Sequence, residues 1–222
     1  MSERLTPAEY EVLLRHDFAT FAMRCFHDLN PQTRLAMNWH LRVIAAKLTA
    51  VREGKIRRLI INLPPRHLKS LLASIAFPAW CLGHDPSAQI LSVSYAQDLA
   101  DKLARDCRSI MMSPWYRKIF PTRLAPHRHA VQEFITTRQG YRLATSTGGV
   151  LTGRGTICRL QRFCGSYDPE QDQSGLDNGL LLDSRQAGFG ASWPPIRPAR
   201  LRPSPIARGS GRRSSCSAIP VS

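Results

Sequence analysis

A lysine and a serine at the start of a helix, with a strand and a tight turn before them, form an arrangement suited to holding phosphate. Backbone N–H groups at the helix start point at the phosphate oxygens. The ammonium neutralises the terminal phosphates, and the hydroxyl can ligate Mg²⁺. Lys69 and Ser70 stand in that setting. Before them, Leu59 to Leu63 is an apolar run ended by Pro64 and Pro65, which predicts a buried strand. After them, Leu71 to Trp80 is apolar and of helical length. The usual pattern, G-x-x-x-x-G-K-[ST], has glycine at two positions where this chain has Leu63 and Leu68. On residue types alone, an ordinary strand-to-helix turn is the better reading of Lys69 and Ser70.

The surrounding elements follow from hydrophobic spacing. Thr6-Pro-Ala-Glu9 predicts a capping box with Pro7 at the first helical position, and Phe18, Phe21, Ala22 and Phe26 continue at helical spacing as a core stripe. Asn30-Pro31 breaks that helix. A second runs from about Asn38 to Glu53, with Leu41, Ile44, Ala45 and Leu48 on one face and Gly54 as its stop. Trp39 and His40 open it. A flat indole there can stack on a base, but a Trp packed on the core with His at its rim is the slightly favoured reading. Gln89 to Tyr95 predicts a second buried strand and Asp98 to Met112 the next helix. Strand, helix, strand, helix implies a parallel sheet wound by right-handed crossovers. Ligands then bind beyond the C-terminal strand ends, which puts the turns at 64–70 and 94–98 on one rim. Asp98 near the helix start reads as a cap. Ser113 to Pro121 predicts a short helix. Pro126-His-Arg-His129 reads as a solvated basic loop rather than a metal site. Val131 to Thr136 and Tyr141 to Ser146 predict a hairpin around Arg138-Gln-Gly140. Gly148-Gly-Val-Leu-Thr-Gly-Arg-Gly155 has four glycines, which let backbone approach a phosphate.

Composition bounds the partners. The 222 residues carry 31 Lys and Arg against 16 Asp and Glu, a net charge of +15, which favours an anionic partner such as nucleic acid. None of the six cysteines forms a Cys-x-x-Cys pair, and Cys25, Cys81 and Cys107 sit among apolar helical residues. They read as buried thiols in a reducing compartment. Met1 to Tyr10 has no signal-peptide core and no apolar run reaches membrane-spanning length, so a soluble intracellular protein is expected.

Taken together, the wording of these stretches resembles the ATPase domain of phage terminase large subunits, the motors that pump DNA into capsids. Leu63-Pro-Pro-Arg-His-Leu-Lys-Ser70 is similar to that family's deviant Walker A motif. Trp39-His40, Phe77-Pro-Ala-Trp-Cys-Leu-Gly-His-Asp-Pro86, Ser92-Val-Ser-Tyr-Ala-Gln-Asp-Leu-Ala100, Ser113-Pro-Trp-Tyr116 and Tyr141 to Gly155 follow in matching order. The resemblance covers roughly residues 10 to 156. It implies a three-layer, P-loop NTPase-like α/β core with a mainly parallel sheet, incomplete here, over 35–156. A helical segment, 1–34, precedes it. ATP and Mg²⁺ are the implied cofactors. Pro65, Arg66, His67, Lys69 and Ser70 would form the nucleotide loop, with Lys69 on the β- and γ-phosphates, Ser70 on Mg²⁺ and Arg66 near the γ-phosphate. Trp39 and His40 would hold the adenine. The 94–98 turn is similar to a motif that couples nucleotide to DNA, and Arg154 would contact nucleotide or DNA. Implied partners are double-stranded DNA, the terminase small subunit and the portal protein, with no membrane. The implied setting is the cytoplasm of a bacterial host, from a prophage gene.

After Thr156 the resemblance ends. The family requires an apolar strand ending in two acids, but Arg159, Gln161 and Arg162 interrupt the apolar run here. Asp168-Pro-Glu170 lacks an apolar strand before it and is not assigned as that pair. No Lys follows Lys118, and from Ser184 onward Arg, Pro, Ser and Gly become dense. A low-order tail over 157–222 is therefore expected. It reads either as a basic nucleic-acid tail or as the product of a frameshift near residue 157, and the abrupt change favours the frameshift. Nothing corresponds to the family's nuclease domain. Three functions stay open: a terminase-type ATPase fragment, a basic DNA-binding protein without catalysis, and a non-functional prophage remnant.

Overall fold

The structure, a computed structural model, describes residues 5–64, 66–126 and 130–146, with the backbone of 158–162 and 179–184. Helix α1, Pro7–His16, starts on the expected capping box. The Glu9 N–H donates to Thr6 Oγ1 at 3.3 Å, and the Thr6 N–H donates to the Glu9 carboxylate at 2.7 Å. Helix α2, Phe18–Leu29, is capped by Asp17, which accepts from the Thr20 N–H at 2.8 Å. Its Phe18, Phe21, Ala22 and Phe26 are buried, as the spacing predicts. Phe18 packs on Phe77 and Trp80, and Phe21 on Trp115, Tyr116 and Phe120, so α1 and α2 share one core with the later helices. Helix α3, Trp39–Arg52, buries Leu41, Ile44, Ala45 and Leu48, and the chain turns out of it at Gly54, where φ is +74°.

Strand β1, Arg58–Asn62, is followed by the loop and then by one helical run. That run is π-helical over Leu71–Ala76 and becomes α-helix α4 over Phe77–His84. Pro78 accounts for the irregularity. It has no N–H to return to Ser74, four residues back, and its ring crowds that carbonyl. Arg142, fully buried on the sheet, donates Nη2–H to Ser74 O at 3.1 Å instead. Strand β2, Gln89–Ser94, leads into α5, Gln97–Met112, and then α6, Pro114–Ile119. The predicted hairpin forms from β3, Glu133–Ile135, and β4, Tyr141–Ser146, in antiparallel register. Gly140 is required there, because a Cβ on it would lie 2.2 Å from Pro86 O.

Strands β5, Cys158–Arg162, and β6, Gly179–Ser184, complete a six-stranded mixed sheet in the order β1-β6-β5-β2-β4-β3. Strands β4 and β5 flank β2 in parallel, while β6 lies antiparallel between β1 and β5. β1, β5, β2 and β4 thus share one direction. The fold is mixed α/β, as expected, but the sheet is not mainly parallel: three of its five strand pairs are antiparallel, because β6 lies reversed between β1 and β5 and β3 pairs with β4 as a hairpin.

Two further expectations need correction. The Leu59–Leu63 run is not a buried strand, since only Ile61 is buried and Ile60 is 71% exposed. β1 lies at the end of the sheet, where α3 packs against it. In addition, two strands lie beyond Thr156, where the sequence suggested little order. Leu180 to Leu182 is an apolar run of three residues, too short among its Asp, Asn, Gln, Gly and Ser neighbours to signal a strand by itself. In the ladder, Leu182 sits opposite Leu160, and Asp183 sits opposite both Arg58 and Arg159.

Candidate functional site

β1, β2 and β4 end on the same edge of the sheet, so the turns that follow them share a rim. This is the placement that the strand-helix alternation predicted. The rim is tied together by Gln97, whose Oε1 accepts from the Ser146 N–H at 3.0 Å and whose Nε2–H donates to Asp101 at 2.7 Å. Asp98 does not cap α5. The N-cap is Ala96, and Asp98 lies one step inside the first turn.

The loop after β1 takes an unusual path. Arg66 has φ +66° and Leu68 φ +58°, both in the left-handed region that L-residues with a side chain disfavour. Leu68 is also the residue that replaces the second glycine of the usual phosphate-loop pattern. Lys69 and Ser70 then begin the helical run, and the Leu72 N–H donates to Leu68 O at 3.0 Å. Lys69 is only 8% exposed, and its ammonium donates back across the loop to Leu63 O. The loop is therefore tied across itself, from the first residue after β1 to the first of the helical run. Arg66 and His67 are exposed on its outer side, and Ser70 is half-buried. Pro65 lies outside the described residues.

The Trp39 side chain is not packed on the core, which the sequence reading slightly favoured. It is 77% exposed at the first turn of α3. A row of rings leads from it to the loop. The Trp39 and His40 centroids are 6.1 Å apart, and those of His40 and His67 are 5.7 Å apart. Trp39, His40 and His67 are thus brought together with the loop, although 26 intervening residues separate His40 from His67 in the chain.

Arg66, His67, Lys69 and Ser70 line a cavity of about 440 Å³. Its other wall comes from the end of α2, at Leu29 and Asn30, and from α5, at Lys102 and Asp106. Asp106 is half-buried, and burial pushes its carboxyl above the usual range although Lys102, Arg105 and Arg142 pull it down. Lys102 and Asp106 were not legible as site residues. Their i, i+4 spacing on a polar helix flank resembles any solvated pair. Among the described residues no group of three potential metal ligands gathers. Asn30, Ser70 and Asp106 are the lining residues whose side chains carry oxygen.

Arg154, the histidines at 127 and 129, Asp168 and Glu170 lie outside the described residues. Strand β5 runs where the resemblance requires acids, yet Cys158–Arg162 contains neither Asp nor Glu and ends in arginine. Cys25, Cys81 and Cys107 form no disulfide among the described residues; Cys25 and Cys107 are buried as expected, Cys81 only partly, and burial raises the Cys107 thiol to about 11. No described helix is long and apolar enough to cross a membrane. No protein-family model, curated protein or solved structure matches the chain.

Proposed function

We propose that the loop at 63–70 binds the phosphates of ATP and that the chain is a partial ATPase domain of the phage terminase large-subunit type. The observation that carries this reading is the left-handed backbone at Leu68, in the glycine position of the pattern, directly before a buried Lys69. A leucine is held in that conformation against a cost of roughly 1–3 kcal/mol. A plain strand-to-helix turn gives no reason for that. In this reading Lys69 exchanges Leu63 O for phosphate oxygens, Arg66 meets the γ-phosphate, and Ser70 holds Mg²⁺, which screens phosphate charge when bound. The adenine stacks on Trp39 beside His40, with Pro65 and His67 completing the loop. The fold would then be an incomplete three-layer P-loop core. Its partners in the packaging motor would be double-stranded DNA, the small subunit and the portal, in the bacterial cytoplasm.

The second reading, a basic DNA-binding protein without catalysis or an inactive prophage remnant, draws on the net charge of +15 and on the absence of acids in β5. Binding of ATP by the full chain separates the two. Calorimetry on wild type and Lys69→Ala should show binding that the substitution abolishes, because the ammonium is the main counter-charge in the loop. Equal affinity in both proteins would remove the phosphate-loop assignment.

A further inference from the structure

The cavity has a cation that the loop does not supply. Lys102 projects from α5, a helix fixed by the burial of Leu103, Ala104 and Cys107 beside it. It has acids one turn away on both sides, Asp98 and Asp106, at the spacing that normally forms surface ion pairs. Among the described residues it forms a close ion pair with neither, although it lies near enough to Asp106 to favour the charged carboxylate. Its ammonium instead lines the same cavity as Arg66, Lys69 and Ser70. Three formally positive residues, Arg66, Lys69 and Lys102, thus line the cavity with one half-buried acid, Asp106, and the three come from two separate elements. A single phosphate seated on the loop needs only the loop's own cations and N–H groups. A chain of phosphates carries more charge and extends further, so it engages both walls.

We propose that Lys102 is a further phosphate-binding cation of this cavity, beside Arg66 and Lys69, and that it makes the site prefer a polyphosphate, such as a nucleoside triphosphate, over a monophosphate. The proposal rests on the phosphate-loop reading and adds to it a residue outside the loop. Lys102 is exposed and buries no apolar surface in the core, so its replacement leaves the fold intact. The mechanism is charge and hydrogen bonding to anionic oxygen, and arginine, which keeps the charge and the donors, substitutes for it.

The test is calorimetric titration of the full chain with ATP, tripolyphosphate and AMP, using wild type, Lys102→Ala, Lys102→Arg and Lys69→Ala. Lys102→Ala should weaken ATP and tripolyphosphate about ten- to a hundredfold, the range of a charge-assisted hydrogen bond, and leave AMP unchanged. Lys102→Arg should restore most of the loss. If Lys102→Ala binds ATP as tightly as wild type while Lys69→Ala does not, the proposal fails and the loop reading survives. The proposal also fails if AMP is lost in parallel with ATP. If Lys69→Ala itself has no effect, the loop reading fails and takes this proposal with it.

Discussion

Leu68 does with a side chain what phosphate loops usually do with glycine. Its φ of +58° places Cβ close to the following carbonyl, a cost of roughly 1–2 kcal/mol for an L-residue. The side chain, partly buried, is packed against the core, which offsets some of that cost. Judged by residue type, the position argued against a phosphate loop. Judged by backbone geometry, it argues for one, because the chain adopts the conformation without the residue that makes it easy. Leu68→Gly should therefore keep Lys69-dependent ATP binding. Leu68→Val should weaken it about tenfold, because β-branching penalises the left-handed region further. Titrating both variants with ATP checks this, and valine binding as well as leucine would mean that the loop conformation is irrelevant to the site. Trp39 teaches the complementary lesson. Its place at a helix start, before the apolar face begins at Leu41, was visible, but the open space around it depends on long-range packing that spacing does not reveal.

The helix after the loop is where one element's irregularity is met by another's. Pro78 leaves Ser74 O without its normal helical donor, and Arg142 reaches across from β4 to supply one. Arg142 pays for this with a desolvated charge, since among the described residues its Nε and Nη1 have no hydrogen-bond partner and burial lowers its pKa. The Phe134 ring, 5.9 Å from the guanidinium carbon, offers partial compensation. Arg142→Met alone should destabilise the fold by about 1–3 kcal/mol, the cost of orphaning a buried carbonyl. In a Pro78→Ala background the new N–H can serve Ser74 O, and the same substitution should cost little. A double-mutant cycle by urea denaturation reads the coupling, and strictly additive effects would show that the two residues do not share that carbonyl. None of this was legible beforehand, because nothing local links Pro78 to Arg142. What was legible is what local chemistry dictates: the capping box at Thr6, the stops at Asn30 and Gly54, the stripe from Phe18 to Phe26, the β3–β4 hairpin and the second buried strand. The edge position of β1 and the strands at 158–162 and 179–184 were missed for one reason. Sheet order is a property of pairing between distant segments, and a five-residue run with three polar side chains gives no local sign that a partner exists.

Across the whole molecule, the shared rim decides what chemistry the chain can complete. Phosphate transfer to water needs a pocket that binds the phosphates and a carboxylate that orients or deprotonates the water. In the proposed reading the first part is the loop cavity around Lys69. For the second, the resemblance calls on the strand after the glycine-rich stretch, and β5 stands beside β2, parallel to it, without an acid along its length. Asp106 is the carboxylate that does share the cavity, but it projects from a helix flanked by Lys102 and Arg105 and is half-buried. Loss of a positioned base typically lowers a rate by ~10²–10⁴-fold, before any loss of metal ligation is counted. Purified 1–222 should therefore bind ATP in a Lys69-dependent manner and release no phosphate above the buffer rate. Replacing everything after Thr156 with an apolar strand that ends in two acids should bring hydrolysis back. Phosphate release followed over hours, with Lys69→Ala as the control, tests both statements. Hydrolysis by the unaltered chain that vanishes in Lys69→Ala would place the missing acid elsewhere. Asp106→Asn would then be the variant to assay first, because Asp106 already lines the cavity. If that variant kept full activity, Asp98 and Asp101 at the start of α5 would be tested next, and then Asp168 and Glu170.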